Sequence, residues 1–354
     1  MPQRPAHRAH PVSPLALSAR AAQLLLILGG PGILPFLHCV DYVVENSSHD
    51  QSVRETINGD LFAGRGAINR AFIEDGLKSK AIDKETSGNF GDITTTEGFL
   101  RSIQLVLQVK EGGLITAGPP CGSFIFLNMF TSGRTKWSPL GNKRGYVVEA
   151  NVITTRLCLL LLLAFVRLVL IAVEQPLSTL MQEFPYFKWL AGIVKHFIPW
   201  LSTSFSMAIF GHANMKPTVV FGDCPWSYRL YKKVTPAIRK RVKKSKKTVR
   251  KYSKNGRTRV SGIASVLRKS QVYPIGFGRA VRDHHMKWMK SPGSVETIRR
   301  ALYRPEGGLN IDPSWKPMKA PYRWRHARLS ELTDFLNSEK KAGRYHPLIQ
   351  EGLD

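Results

Sequence analysis

The segment that most constrains the fold is an apolar run over residues 156–176, RLCLLLLLAFVRLVLIAVEQP. Such a run has to leave water, either in the core of a protein or in a lipid bilayer. Its apolar part covers only about 17 residues and contains Arg167, which is marginal for crossing a bilayer. We therefore expect a buried helix that turns into a central strand ending at Val173, and no membrane span. A membrane helix is the alternative.

The segments on either side alternate between strand and helix patterns. A strand leads into a turn with Gly64 and Gly66, and the next helix is predicted to bury Ile68, Phe72 and Ile73 on one face. Further strands are predicted over residues 78–83 and 113–118, with a helix over 96–112 between them. A pair of strands is predicted within residues 202–223. This alternation predicts an α/β fold, with a Rossmann-like sheet, helices on both faces and a basic C-terminal appendage.

The charge balance predicts a polyanionic partner. Among 354 residues the chain has 52 Lys and Arg against 25 Asp and Glu, which gives a formal net charge of +27 at pH 7. Nucleic acid is the first candidate partner, and an acidic membrane surface is the second. Fifteen of the cations lie within residues 229–259, where there is no acidic residue. The composition therefore indicates a boundary just before this segment.

Composition divides the chain into four parts. Residues 1–50 are predicted to be a basic leader, either a targeting segment or a poorly ordered extension, because no acidic residue precedes Asp41. Residues 51–224 form the predicted α/β domain, 225–290 a basic nucleic-acid-binding region, and 291–354 a tail with an amphipathic helix over 328–343. A nuclear location is expected, and an organellar location is the alternative because of the leader.

The basic segment is the predicted contact with nucleic acid. Its cations are expected to contact phosphates, while Tyr228, Tyr231 and Tyr252 are placed to stack on bases. The residues predicted to bind are Arg239, Lys240, Arg241, Lys243, Lys244, Lys246 and Lys247. The alternatives are a nuclear-localisation signal and a solvated helix face.

The cysteine pattern favours a reducing compartment and a free thiol. The four cysteines are widely spaced and form no C-x-x-C pair, which argues against a disulfide framework and against a structural zinc site. No metal site is predicted. In GGLITAGPPCGSF, Cys121 follows a strand and a turn stiffened by Pro119 and Pro120. A basic surface and a nearby helix start would favour its thiolate, as a nucleophile requires; the alternative is a small buried apolar residue.

Three other side chains lie at predicted strand ends, where open α/β sheets bind ligands. Phe62 offers an aromatic face for a purine or fills the core. Asp92 accepts a hydrogen bond from an adenine amino group or caps the next helix. Glu174 serves as a proton donor to a ring nitrogen or caps a helix starting near Ser178.

Taken in chain order, these segments resemble the motifs of the cytosine-5 nucleic-acid methyltransferases. DLFAG resembles the family's cofactor motif, GDIT its adenine-contact motif and GPPC its catalytic Pro-Cys loop, and EQP stands where the family has Glu-Asn-Val. MKPTVVF occupies the place of an Arg-containing strand motif. The resemblance covers about residues 55–223, so it implies that residues 51–224 are a methyltransferase catalytic domain.

The resemblance implies a fold, a reaction and a partner. The fold is the S-adenosylmethionine methyltransferase sheet, largely parallel with one reversed strand at its edge. The substrate is a cytosine flipped out of DNA, or of RNA, into the pocket. Cys121 would add to ring carbon 6 while Glu174 protonates ring nitrogen 3, so that carbon 5 takes a methyl group from S-adenosylmethionine.

The resemblance also assigns binding residues. Lys216 would steady the cytosine, although the family has an arginine pair there. The implied cofactor residues are Asp60, Phe62, Gly64, Gly66, Asp83, Asp92 and Pro119, with Asp92 at the adenine amino group and Asp83 at the ribose. The family's late Gly-Asn-Ser/Thr-Val segment is missing from the chain. Two alternatives stay open: a catalytically inactive nucleic-acid-binding relative, and an RNA or other methyltransferase of the same fold.

Overall fold

The computed structural model describes residues 34–46, 55–243, 249–263, 271–304, 310–311 and 327–342. Within these ranges the chain is α/β, as predicted, with one mixed six-stranded sheet. The sheet strands are β1 (Thr56–Leu61), β2 (Ser79–Ile82), β3 (Val109–Ala117), β4 (Leu170–Pro176), β5 (Leu201–Ser206) and β6 (Pro217–Gly222). A separate hairpin pairs β7 (Val249–Lys254) with β8 (Arg257–Gly262).

The strand order in the sheet is β2-β1-β3-β4-β6-β5. Strands β1 to β4 are parallel to one another, whereas β6 runs antiparallel to both β4 and β5. One strand is therefore reversed, as expected, but the expectation that it lies at the edge is wrong. Strand β5 pairs with the outer side of β6 and takes the edge position instead.

The helices form two groups around the sheet. The described helices are α1 (Leu34–Asn46), α2 (Ala67–Glu74), α3 (Lys84–Ser87), α4 (Thr96–Gln108), α5 (Met129–Ser132), α6 (Gly145–Val166), α7 (Pro185–Phe197), α8 (Pro236–Lys243), α9 (Ile275–Met289), α10 (Ser294–Leu302) and α11 (Leu329–Ala342). In the first group, α4 contacts α1 and α6, α6 contacts α7, and α11 contacts α1. In the second group, α9 contacts α2 and α10.

The apolar run forms a buried helix followed by a central strand, which confirms that part of the prediction. Helix α6 is buried along nearly its whole length, and β4 lies between β3 and β6. Within the described ranges, α6 is also the one helix long and apolar enough to cross a membrane, and 89% of its apolar window is buried inside the protein. Arg167 ends the helix and donates to the carbonyls of Leu107 and Val109 at 2.8 and 3.2 Å. The C-terminal end of α4 thus provides acceptors for this buried cation.

Two local predictions differ from the structure. Ile73 is exposed on α2, whereas Ile68 and Phe72 are buried as expected. The buried face of this eight-residue helix consists of Ala67, Ile68, Ala71 and Phe72, and Ile73 lies outside it. The predicted leader contains α1, which buries Phe36 and Val40 in the core. No element was predicted there, although apolar residues recur at helical spacing.

The chain after the basic segment returns to the first half of the sheet. Helix α9 packs on α2 so closely that a Cβ at Gly278 would lie 2.3 Å from the carbonyl oxygen of Ala67. Only glycine permits this approach of one backbone to another. Residues within the predicted basic region of 225–290 therefore pack directly beside the glycine turn that follows β1.

Candidate active site

The predicted catalytic side chains meet at one edge of the sheet. Glu174 lies near the end of β4, and Cys121 lies in the loop after the neighbouring parallel strand β3. Because β6 is antiparallel to β4, its first residues pair with the last residues of β4, Pro176 opposite Thr218. Lys216, directly before β6, is thereby brought to the same edge.

Glu174 forms the centre of this cluster. Its side chain is buried, and its Oε2 accepts a hydrogen bond of 2.6 Å from the hydroxyl of Tyr273. The ammonium of Lys216 lies 3.6 Å from Oε1 and 4.6 Å from the centre of the Tyr273 ring. Glu174 therefore has a specific set of partners and does not cap a helix near Ser178. A buried carboxylate with one cation and one hydroxyl beside it is compensated in charge.

One oxygen of Glu174 is left without a hydrogen bond. Among the described residues, no donor lies within hydrogen-bond distance of the buried Oε1 atom, since the Lys216 contact is longer. A buried acceptor without a donor costs about 1–3 kcal/mol, so such an atom commonly has a task. It is available to a ligand that presents an N–H group.

Tyr273 is held in place by packing around its ring and hydroxyl. A Cβ at Gly118 would lie 2.3 Å from the Tyr273 hydroxyl oxygen, so glycine at this position makes room for it. Burial raises the pKa of Tyr273 well above its usual value, and the charge of Glu174 adds to this shift. The hydroxyl therefore stays protonated at neutral pH and remains a donor. Together with Thr116 and Phe277, it lines a small, mainly apolar cavity beside Glu174.

The expectation that the environment favours the Cys121 thiolate is wrong. Burial raises the pKa of the Cys121 thiol, and the negative charge of Glu174 raises it further. Lys216 and a backbone hydrogen bond act in the opposite direction but do not outweigh burial. No helix begins directly at the cysteine, since the nearest helical turn starts at Phe126. Cys121 is half-buried and not one of the fully covered thiols.

The loop that carries Cys121 is tied to the sheet on one side and to the buried Arg134 on the other. The side-chain amide of Gln175 donates to the carbonyl of Pro119 at 2.8 Å, which links the loop to the residue after Glu174. On the other side, the buried Arg134 donates to the hydroxyl of Ser123, with its Nη2 at 3.0 Å. Pro119 thus has an observed role in holding the loop.

The predicted glycine turn has the backbone geometry that its residues suggested. Gly64 and Gly66 have φ values of 55° and 64°, in the left-handed region that glycine adopts without strain. Phe62 also has a positive φ, 59°, and packs partly against the core. Asp83 accepts from the backbone N–H of Gly64 at 2.8 Å and from that of Glu85 at 2.8 Å. Asp83 therefore fixes the turn to the end of β2.

Asp60 lies at the end of β1, before this turn, and the nearby Asn69 has a side-chain oxygen without a hydrogen-bond donor among the described residues. Asp60 is buried and accepts from the hydroxyl of Thr116 at 2.8 Å and from the N–H of Asn69 at 3.4 Å. Burial raises the pKa of Asp60 to about 7, although both hydrogen bonds act to lower it. The buried side-chain oxygen of Asn69 has no donor among the described residues. The turn therefore offers acceptors to a ligand with an ammonium or amino group.

Asp92 combines a local turn with an ion pair. Its Oδ1 accepts from the N–H and the hydroxyl of Thr94, and its Oδ2 lies 2.7 Å from the ammonium of Lys84. Burial acts to raise the pKa of Asp92, but the hydrogen bonds from Lys84 and Thr94 outweigh it and hold the pKa below its usual value. The N-cap of α4 is Thr95, not Asp92. Lys84 is largely exposed, so a ligand can displace it from Oδ2.

The basic segment is only partly described. Arg239, Lys240, Arg241 and Lys243 lie on α8, which has no buried residue, and Arg241 donates to the carbonyl of Ala208. This contact fixes α8 near the end of β5. Lys244, Lys246 and Lys247 lie outside the described residues. Nucleic-acid binding by this segment stays a prediction.

Sequence reasoning missed Tyr273 and the two residues that tie down the cysteine loop. Tyr273 comes 99 residues after Glu174, beyond the basic segment, and no motif indicated that the chain returns there. A Tyr-Pro pair before an apolar helix was the available signal. Gln175 was noted only as a departure from the resembled motif, and Arg134 gave no signal in the sequence.

Comparison of the chain with protein-family models, with curated proteins and with solved structures gives no match. The function is therefore argued from the site itself and from the resemblance of its short motifs. The strongest observation is that residues from three separate segments, Cys121, Glu174 and Lys216, meet at one sheet edge.

Proposed function

We propose that this protein transfers a methyl group from S-adenosylmethionine to carbon 5 of cytosine in nucleic acid, with DNA as the first substrate to test. The observation that carries the proposal is the cluster of Cys121, Glu174 and Lys216, with the unpartnered Oε1 of Glu174 inside it. A thiol, a carboxyl group and a cation are the groups that the resembled reaction uses. The single reversed strand also supports the proposal, since the resemblance implies one.

In the proposed mechanism Cys121 is the nucleophile. Its thiolate forms a bond to carbon 6 of the cytosine while the carboxyl group of Glu174 gives a proton to ring nitrogen 3. This addition makes carbon 5 nucleophilic. After methyl transfer, the carbon-5 proton is lost to water, the bond between sulfur and carbon 6 breaks to release the Cys121 thiolate, and ring nitrogen 3 returns its proton to Glu174. The positive charge of Lys216 acts to lower the pKa of Cys121 and so favours the thiolate, against the larger effect of burial.

The glycine turn fits the proposed cofactor. S-adenosylmethionine supplies an electrophilic methyl group when bound. The acceptor oxygens of Asp60 and Asn69 suit its amino group, and the turn at Gly64 and Gly66 allows close approach of a ligand to the backbone. Asp92 would accept from the adenine amino group once Lys84 leaves its Oδ2.

A second candidate function is nucleic-acid binding without turnover. It is favoured by two features of the site: the Cys121 thiol has a raised pKa, and Tyr273 occupies the space beside Glu174. Methyl transfer then requires that the entering base displaces or shifts Tyr273. A protein that only binds nucleic acid does not require this movement.

Methyl transfer is tested with labelled S-adenosylmethionine and cytosine-containing DNA. We expect label in 5-methylcytosine after digestion of the DNA with the wild type. Cys121→Ala and Glu174→Gln should each reduce the rate by roughly 100-fold or more. Cys158→Ala removes a fully buried thiol outside the site and serves as the matched control. Absence of label with the wild type, on several DNA sequences and on RNA, would favour the binding function.

A further inference from the structure

The loop between Cys121 and α6 exposes an unusual number of large apolar side chains. Phe130 is fully exposed, Trp137 is 88% exposed, and Phe126 and Leu127 are 65% and 60% exposed. Tyr146 at the start of α6 is also exposed. We call residues 122–146 the aromatic loop. Exposed apolar side chains concentrated in one loop mark an interaction site more often than scattered ones do.

The same loop is positively charged. Residues 122–148 contain no Asp or Glu, and Lys136, Lys143 and Arg144 are exposed. The ammonium of Lys136 lies 5.7 Å from the centre of the Trp137 ring, so a cation and an aromatic face are presented together. A surface that interleaves cations with aromatic rings suits a partner with negative charges and flat apolar groups.

The aromatic loop is held in a defined shape and is joined to the candidate active site. Arg134 is buried and donates to the carbonyl of Val147 and the side chain of Asn151, which anchors the loop to α6. The side-chain amide of Asn128 donates to the carbonyl of Gly122, next to Cys121. The backbone that carries the exposed rings is therefore anchored relative to the thiol, which lowers the entropy cost of ordering the loop on binding.

We infer that the aromatic loop binds unpaired nucleobases, with its cations on the adjacent phosphates, and so presents single-stranded or locally opened nucleic acid to Cys121. This inference rests on the proposed function and deepens it by naming the form of the substrate. Each base has a flat face that stacks on an aromatic ring without regard to sequence. Paired bases inside a duplex do not expose these faces.

The experiment measures the affinity for a labelled single-stranded oligonucleotide by fluorescence anisotropy, with the matching duplex in parallel. Phe130→Ala and Trp137→Ala should each weaken single-strand binding by roughly 5- to 100-fold, and should weaken duplex binding less. Trp137→Phe keeps an aromatic face and should restore most of the affinity. Ile73→Ala removes an exposed apolar side chain from α2, 53% exposed, and should leave the affinity unchanged.

The assay contains no methyl donor and is repeated with Cys121→Ala, so binding is read independently of turnover. Loop-dependent binding without methyl transfer supports this inference and counts against the proposed function. Methyl transfer that is insensitive to Phe130→Ala and Trp137→Ala supports the proposed function and counts against this inference. Unchanged oligonucleotide affinity in both loop variants overturns the inference. The inference is also overturned if Phe130→Ala and Trp137→Ala leave oligonucleotide binding intact but abolish binding to vesicles containing phosphatidylserine. The same holds if they abolish only self-association, measured by sedimentation.

Discussion

At the scale of single residues, the contact between Tyr273 and Glu174 is the feature that the structure adds to the candidate site. The Tyr273 hydroxyl is the one hydrogen-bond donor to this carboxylate among the described residues. It fixes Oε2 and leaves the buried Oε1 without a donor among these residues. The contact joins two parts of the chain that sequence patterns treat as separate domains.

Tyr273→Phe should lower the free energy of unfolding by about 1–3 kcal/mol, because the ring packing is kept while Glu174 loses its donor. Urea denaturation at neutral pH measures this change. Tyr228→Phe is the matched control, since the Tyr228 side chain is exposed. Equal stability of the wild type and Tyr273→Phe would contradict the account of the buried carboxylate.

His285 provides a pH-dependent contribution to stability. It is fully buried between Phe72, Trp226 and Trp288, and neither ring nitrogen has a partner among the described residues. Burial lowers the pKa of His285 from 6.5 to about 3, with a smaller contribution from the charge of Lys110. The unfolded chain therefore binds a proton that the folded protein excludes. The stability that depends on an uncharged His285 is fully present above pH 6.5 and is lost as the pH falls toward 3.

We expect His285→Phe to remove this part of the pH dependence. The raised pKa values of Asp60 and Asp223, both about 7, act in the opposite direction over part of the same range. The test is therefore the difference between variant and wild type in unfolding free energy at a series of pH values. The variant should gain relative to the wild type as the pH falls from 6.5 to 3. A constant difference across this range would count against an uncharged buried His285.

At the scale of elements, sequence patterns predicted most of the strands and the helices between them. Strands β3 and β4 followed from apolar residues that end at turns, β1 and β2 followed from their place in the alternation of strand, turn and helix, and α4 and α6 followed from their apolar residues. The position of the reversed strand could not be predicted, because the pairing of β5 outside β6 depends on contacts between strands and not on the residues of either one. For the same reason the return of α9 to α2, and with it Tyr273, was missed.

The packing of α9 on α2 can be tested through Gly278. Gly278→Ala would place a methyl group 2.3 Å from the carbonyl oxygen of Ala67, so α9 has to move away from α2. We expect the free energy of unfolding to fall by about 1–3 kcal/mol in urea denaturation. Gly145→Ala adds the same methyl group at a helical position with open space around it and should be neutral or stabilising. Equal effects of the two substitutions would contradict the close packing.

At the scale of the whole molecule, the net charge of +27 predicts strongly salt-dependent binding to nucleic acid. If α8 contacts phosphates, the double variant Lys240→Gln, Lys243→Gln should reduce the slope of log affinity against log salt by about 2 for duplex DNA. Lys195→Gln with Lys341→Gln removes two exposed cations outside residues 225–290 and should change the slope less. A larger change in the control would place the nucleic-acid contact on another surface.

The most direct test of the proposed function is covalent trapping. The purified protein is incubated with S-adenosylmethionine and a duplex containing 5-fluorocytosine. In this base fluorine replaces the hydrogen at carbon 5, so the proton loss that would release the enzyme cannot occur. The bond between Cys121 and carbon 6 should therefore persist and give a slower band on a denaturing gel, and Cys121→Ala should give none. No band with the wild type while the duplex is bound, or an equal band with Cys121→Ala, would contradict the assignment of Cys121 as the nucleophile.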